Sequence, residues 1–211
     1  MQEKLKQFRE AAQHDYVDIC DDLLQEMFLE LDVKALLLYG IKKAREYLPI
    51  FESRYPELSW THEFITLLEK LEAFNYRTPA FNYFTETEQG EIVQRYDVPG
   101  VWSFLDGLDL LKQALEYYLK NQIKLSLELS GGAVSQFVGA VVVDHWGQLY
   151  PEEYAAYGEG ILTEPDRPDH RQRWDAAVKI YSENVERREL HLKLFLELAD
   201  DLEAIINKGR R

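Results

Sequence analysis

Residues 178–206 read VKIYSENVERRELHLKLFLELADDLEAII, and within them Val178, Tyr181, Val185, Leu192, Phe195, Ala199, Leu202 and Ile206 recur at alternating spacings of three and four, with Arg188 at the one polar position of the series. That is the period of an α-helix with a single apolar face, repeated as a heptad seam. Counted from Arg171, the pattern predicts a helix of about 35 residues, roughly 50 Å long at 1.5 Å per residue. Such a helix spans a domain, so the chain reads first as all-α.

Working back from it, Gly147 to His170 carries Pro151, Pro165, Pro168, Gly158 and Gly160 and reads as loop. Ala133 to Val143 is an apolar run that fits a buried helix, set off by Gly131-Gly132 from the piece before it. In that piece Ile123, Leu125, Leu127 and Leu129 alternate with polar residues, which is strand periodicity. A helix is preferred there, because a lone strand needs a partner; a short β element at 123–130 stays open as the alternative. Val101, Leu105, Leu108, Leu115 and Tyr118 mark a further helix, and Arg77 to Gly100 before it loses periodicity and reads as a long connection. Ser59 is expected to cap a helix with Phe64, Leu67, Leu68, Leu71 and Phe74 on its inner face, and Asp32 to cap another that Pro49 should kink or end. From Leu5 through Phe8, Ala12, Tyr16, Ile19, Leu23, Met27 and Leu31 the steps of three and four predict one continuous apolar face. The expectation is one helical domain over 1–211, a bundle or orthogonal array with a long C-terminal helix.

Composition narrows the function classes. With 38 acidic against 24 basic residues the net charge is −14, which repels phosphate backbones and anionic lipid headgroups, so neither nucleic acid nor a membrane surface is an expected partner. The single cysteine, Cys20, is expected to be a buried thiol. The first residues carry no secretory pattern and no stretch approaches the ~18 uninterrupted apolar residues of a spanning helix, so a cytoplasmic protein is expected.

The charge is segregated. Between Glu10 and Asp32 stand eight carboxylates with no lysine or arginine, and between Lys124 and Arg167 another seven. On a continuous helix Asp15, Asp18, Asp22 and Glu26 share one face, opposite the Tyr16, Ile19, Leu23 and Met27 stripe. That face is either solvated charge or a surface complementary to a basic partner. A metal reading of Asp21-Asp22 with Glu26 needs a second carboxylate set on a facing helix, and Glu183, Glu186, Glu197 and Asp200 are the available ones, although Arg187 and Lys193 at helical spacing would pair much of that charge. The histidines form neither a His-x-x-x-His nor a Glu-x-x-His pair, and the adjacent His14-Asp15 and Asp144-His145 point about 100° apart on a helix, so no catalytic set and no cofactor is expected from them. Phe-Asn-Tyr occurs twice within 74–84, which makes Tyr76, Phe81, Tyr83 and Phe84 candidate partner contacts if exposed.

Three resemblances bear on these residues. Ala44 to Glu52 with Tyr55-Pro56, together with Trp174-Asp175 through Ile180-Tyr181 to Asp201-Leu202, resembles two helices of an uncharacterised family of helical bacterial proteins, domain of unknown function 416, which implies an all-α fold and no assigned activity. The Leu48-Pro49-x-Phe51-Glu52 helix followed by Tyr55-Pro56 also resembles helical immunity proteins of polymorphic toxins, which implies an acidic cytoplasmic inhibitor with Asp15, Asp18, Asp22 and Glu26 on the occluding surface. Leu129-Ser130-Gly131-Gly132 is similar to the glycine-kinked distal helix of haem oxygenases, which implies a haem with a histidine ligand from the first helix; the Gly-Asp that precedes it in that family is absent, and His14 lacks the family's surrounding pattern. The leading expectation is a non-catalytic, acidic protein-binding protein, in its most concrete form an inhibitor of a basic toxin or nuclease. The alternatives are a helical enzyme with haem or carboxylate-bound metal, and a structural protein that pairs with its own copy through the 178–206 seam.

Overall fold

The computed structural model describes residues 1–14, 16–70, 99–155 and 168–209. They form α1 (Gln2–Gln13), α2 (Val17–Phe28), α3 (Val33–Arg54), a 3₁₀ turn (Pro56–Leu58), α4 (Trp60–Leu68), α5 (Pro99–Leu119), α6 (Ile123–Leu149), α7 (Pro168–Glu183) and α8 (Val185–Gly209), with residues 151–155 also helical. No strand occurs among the described residues, so the all-α reading holds. The alternation at 123–130 belongs to a helix: Leu127 is buried while Ile123 and Leu125 are exposed. The loop expected from Gly147 starts later than the sequence indicates, because α6 runs to Leu149 and helix resumes at 151.

The architecture is organised around α6. Its 27 residues are apolar or small on nearly every side, and such a helix lowers its free energy only by acquiring neighbours all round. It pairs with α5 as a hairpin and is flanked by α2, α3 and α8. The hairpin turns at Asn121, which takes the left-handed conformation (φ 58°) that asparagine tolerates better than most residues. By length and composition α6 would also cross a membrane, but 56% of its apolar window is buried in the bundle. Gly131-Gly132 does not divide α6. A Cβ on Gly131 would stand 2.5 Å from the Phe28 ring, so the glycine is where α2 crosses at close range.

Two apolar clusters flank the central pair. One joins the second half of α3 to α4, α5 and α6 through Phe51, Phe64, Phe104 and Phe137; the other joins α1, α2, the first half of α3 and the end of α8 through Phe8, Leu24, Phe28 and Phe195. Asp32 caps α3 as expected, its Oδ1 accepting from the Ala35 N–H at 2.9 Å. Pro49 does not end α3, which continues to Arg54. An interior proline costs about 3 kcal/mol, and the buried rings on either side of it offset that: Tyr47 and Phe51 lie 5.2 and 4.3 Å from Phe104.

Two expected helices are each divided in two. The helix from Leu5 to Leu31 breaks after α1, where the His14 and Tyr16 N–H groups both return to the Ala11 carbonyl. This resets the helical phase, so that α2 buries Cys20, Leu24, Met27 and Phe28 and leaves Tyr16 and Ile19 exposed. The C-terminal helix breaks at Asn184, whose Oδ1 caps α8 by accepting the Arg187 N–H at 2.6 Å. The heptad seam is therefore not one surface: Phe195, Ala199 and Leu202 are buried inside the fold, whereas Val185 is exposed.

The close crossing at Gly131 sets a test within one helix. Gly131→Ala is expected to lose about 1–3 kcal/mol to the clash with Phe28, more than the roughly 1 kcal/mol of helix propensity it gains. Gly139→Ala, where a Cβ would meet nothing within 4 Å, should be stabilising. Urea midpoints that move in the same direction for both substitutions would contradict this packing.

Candidate functional site

Two features of the surface and interior carry chemistry. The first is the outer face of α2. Ile19, Asp22, Glu26 and Leu29 stand at i, i+3, i+7 and i+10, which places them on one stripe. All four are exposed, Ile19 at 49% and Leu29 at 42%, with Tyr16 at 55% beside the helix start. Acidic and apolar residues therefore share a face, where the continuous-helix reading sets them on opposite faces. Glu26 pairs with Lys4 at 2.8 Å and stays half exposed. Past Leu29 the chain enters a groove of about 580 Å³ at the end of the bundle, floored by Leu31, Ala35, Ile205 and Ile206 and edged by Glu30 and Asp32.

The second feature is a buried acid. The apolar stretch of α6 ends on Asp144, only 3% exposed, and two segments, α3 with its C-terminal end and residues 151–155, supply its partners. From α3, the Tyr47 hydroxyl donates to Oδ2 and the Arg54 guanidinium reaches the same oxygen at 2.9 Å. Tyr55, at the end of α3, approaches Oδ1 at 3.4 Å. Tyr154, from helical residues 151–155, accepts the Gly100 N–H of α5 at 2.9 Å and so has its own proton free to donate to Oδ1 at 3.2 Å. A side chain at position 100 would collide with the carboxylate, so Gly100 is what lets α5 begin there. Trp146 seals the cluster, stacking on Tyr150 and meeting Tyr154 and Tyr181 edge-on.

Burial pushes the Asp144 carboxyl up to about 7, while the Tyr154 hydrogen bond works the other way. The Arg54 contact likewise favours the charged form. Leaving a carboxylate uncompensated in such a place costs several kcal/mol against about 1 kcal/mol for a neutral hydrogen bond, so proton and guanidinium compete to neutralise it. Chemically the cluster can hold or release one proton near neutrality. Tyr47 also walls an apolar groove of about 160 Å³ between α3, α6 and α8.

A second polar tie joins α3 to α8. Asp201 accepts from Tyr39 at 3.0 Å and from Lys43 at 3.0 Å; burial alone would raise its pKa, and these partners hold it below the usual carboxylate range.

Of the residues singled out in the sequence, Asp22 and Glu26 lie on the α2 stripe. Asp15, Tyr76, Phe81, Tyr83 and Phe84 lie outside the described residues, as does the Asp18 side chain. No group of three or more His, Cys, Asp or Glu side chains that would hold a metal comes together among the described residues. Asp200 instead pairs with Arg9 and Glu197 with Lys193. Lys193 thus pairs as its spacing predicts, whereas Arg187 makes no ion pair with a described residue and turns inward, at 8% exposure. His14 is exposed at the end of α1, stacked on Tyr16. In the sequence Asp144 reads only as half of a dyad with His145, not as a site. The available signal was a carboxylate closing an eleven-residue apolar run.

An all-helical protein with a buried acid–tyrosine cluster and an acidic, partly apolar α2 face is thus what the geometry defines. Comparison with known proteins finds no matching family model, curated protein or solved structure.

Because the folded Asp144 pKa lies above the ~3.9 of an unfolded aspartate, its contribution to stability is full below about pH 4 and is lost as pH rises through about 7. Asp144→Asn, which stays neutral, is expected to flatten that part of the profile; thermal midpoints measured from pH 4 to 8 check it, and an unchanged slope would remove Asp144 as the cause.

Proposed function

We propose that this protein works by binding a basic protein partner through the outer face of α2, and that it does so in the cytoplasm as an inhibitor of a basic toxin or nuclease. The observation that carries the reading is the shared exposure of Tyr16, Ile19 and Leu29 with Asp22 and Glu26 on that face. Apolar residues give a partner area to bury, and carboxylates around them orient a cationic surface and speed its approach. The net charge of −14 extends the same attraction beyond the contact itself. The groove past Leu29 continues the surface with more apolar lining.

The test compares the wild type with an Asp18→Lys, Asp22→Lys, Glu26→Lys variant as bait in native cell extract, at low and at high salt. A basic protein retained by the wild type, released as salt rises and missed by the variant at equal helical CD signal, is the expected outcome. The same proteins captured by both baits would sink the proposal.

A further inference from the structure

We propose that Arg187 anchors a binding site for a small oxyanion, the carboxylate or phosphate group of a ligand, separate from the α2 surface. Arg187 is the only basic residue that is more than nine-tenths buried among the described residues, at 8% exposure. The other arginines that reach into the fold each face acids: Arg9 meets Asp200 and Glu203, Arg45 meets Glu69, and Arg54 meets Asp144. Arg187 has no hydrogen bond or ion pair from its side chain to a described residue, and its Nε–H is buried without an acceptor. Among the described residues its guanidinium has one cation–π contact, with the Tyr181 ring 4.4 Å from the guanidinium carbon.

That contact is not enough. A desolvated cation–π pair contributes about 2 kcal/mol, whereas burying a cation without an anion costs several. In a chain with an excess of 14 negative charges, none of the described carboxylates pairs with Arg187, which leaves room for a counter-ion from outside.

The setting suits an oxyanion. Arg187 stands in the first turn of α8, just after the Asn184 cap, and helical side chains lean toward the N-terminus. The guanidinium therefore reaches back toward the positive end of the helix, over Tyr181. Tyr181 in turn meets Trp146 edge-on at 5.1 Å, which gives the site an aromatic floor. Low polarity there strengthens a charge-assisted bond, and the planar guanidinium fork matches a carboxylate or phosphate in two-point fashion. Tyr181 and Asn184 are partly exposed and Val185 is exposed, so the residues beside Arg187 reach the surface.

The experiment is thermal unfolding of the full chain in inorganic phosphate, in acetate and in chloride at matched ionic strength. The wild-type midpoint is expected to rise by about 2 °C or more in roughly 10 mM phosphate or acetate relative to chloride. A response to phosphate alone assigns a phosphate ligand, and one to acetate alone a carboxylate. Arg187→Met should abolish the response and unfold no lower than the wild type in chloride, since it removes an uncompensated charge; Arg188→Met, on the exposed neighbour, should keep it. Arg187→Gln replaces the Met variant if that chain does not fold. Absence of an anion-specific rise in the wild type, or an equal rise in the Arg187 variant, overturns the site.

Discussion

An apolar 27-residue helix cannot be left against water on any broad face, and the burial of α6 is the constraint on which the other elements depend. It determines why α2, α3, α5 and α8 surround it, and why small residues occur where they approach. Gly131 admits Phe28 of α2, and Gly107 of α5 admits Phe137 of α6, each where a Cβ would stand 2.5 Å from the ring. The same burial puts a cost on each polar group of α6 that it takes from water, and most of that cost is met by partners inside the protein. Ser126 donates across to the Ala114 carbonyl of α5 at 2.8 Å, and Ser130 returns to the Ser126 carbonyl at 2.7 Å. Asp144 carries the largest such demand, because it is the ionisable one.

Seen from α6, the Asp144 cluster is a joint between elements far apart in sequence. Tyr47 and Arg54 come from α3, Gly100 from the first turn of α5, and Tyr154 from beyond the end of α6. Any movement of α3 against α6 changes the hydrogen bonding of the carboxylate, and any change in its protonation acts back on those helices. The Asp201 tie does the same for α3 and α8 with the opposite preference, since Lys43 and Tyr39 favour its charged form. The two acids pull against each other as pH falls: one gains a proton it prefers, and the other loses a charge its partners need.

The helical class and the cap at Asp32 were legible because they rest on local rules, the 3.6-residue period and the carboxylate's reach to a nearby N–H. The phase of α2 was not. Steps of three and four continue through Tyr16, Ile19 and Leu23 whether or not the chain breaks before them, and the turn at His14 rotates the inner face to Cys20, Leu24, Met27 and Phe28. The same happened at Asn184, where a helical period persists across a capped break. Of the two outcomes expected at Pro49, a kink or an end, the end does not occur, for the converse reason: its local cost is real, and long-range aromatic packing outweighs it. The Asp144 cluster escaped because its members are brought together from across the chain; only the abrupt end of the apolar run at a carboxylate was local.

Asp144 and Arg187 make an instructive pair, one buried acid and one buried base on α6 and α8, connected through Tyr154, Trp146 and Tyr181. The acid is provided with tyrosine hydroxyls, a guanidinium and a pKa near neutrality, so the fold has more than one way to settle its charge. The base has no comparable recourse, because an arginine does not give up its proton at any pH the fold experiences and a tyrosine face supplies only part of what water did. A buried carboxyl can be made neutral from within; a buried guanidinium has to be neutralised by an anion. That asymmetry is why the described residues account for the acid, and why Arg187 points to an anion that the described residues do not supply.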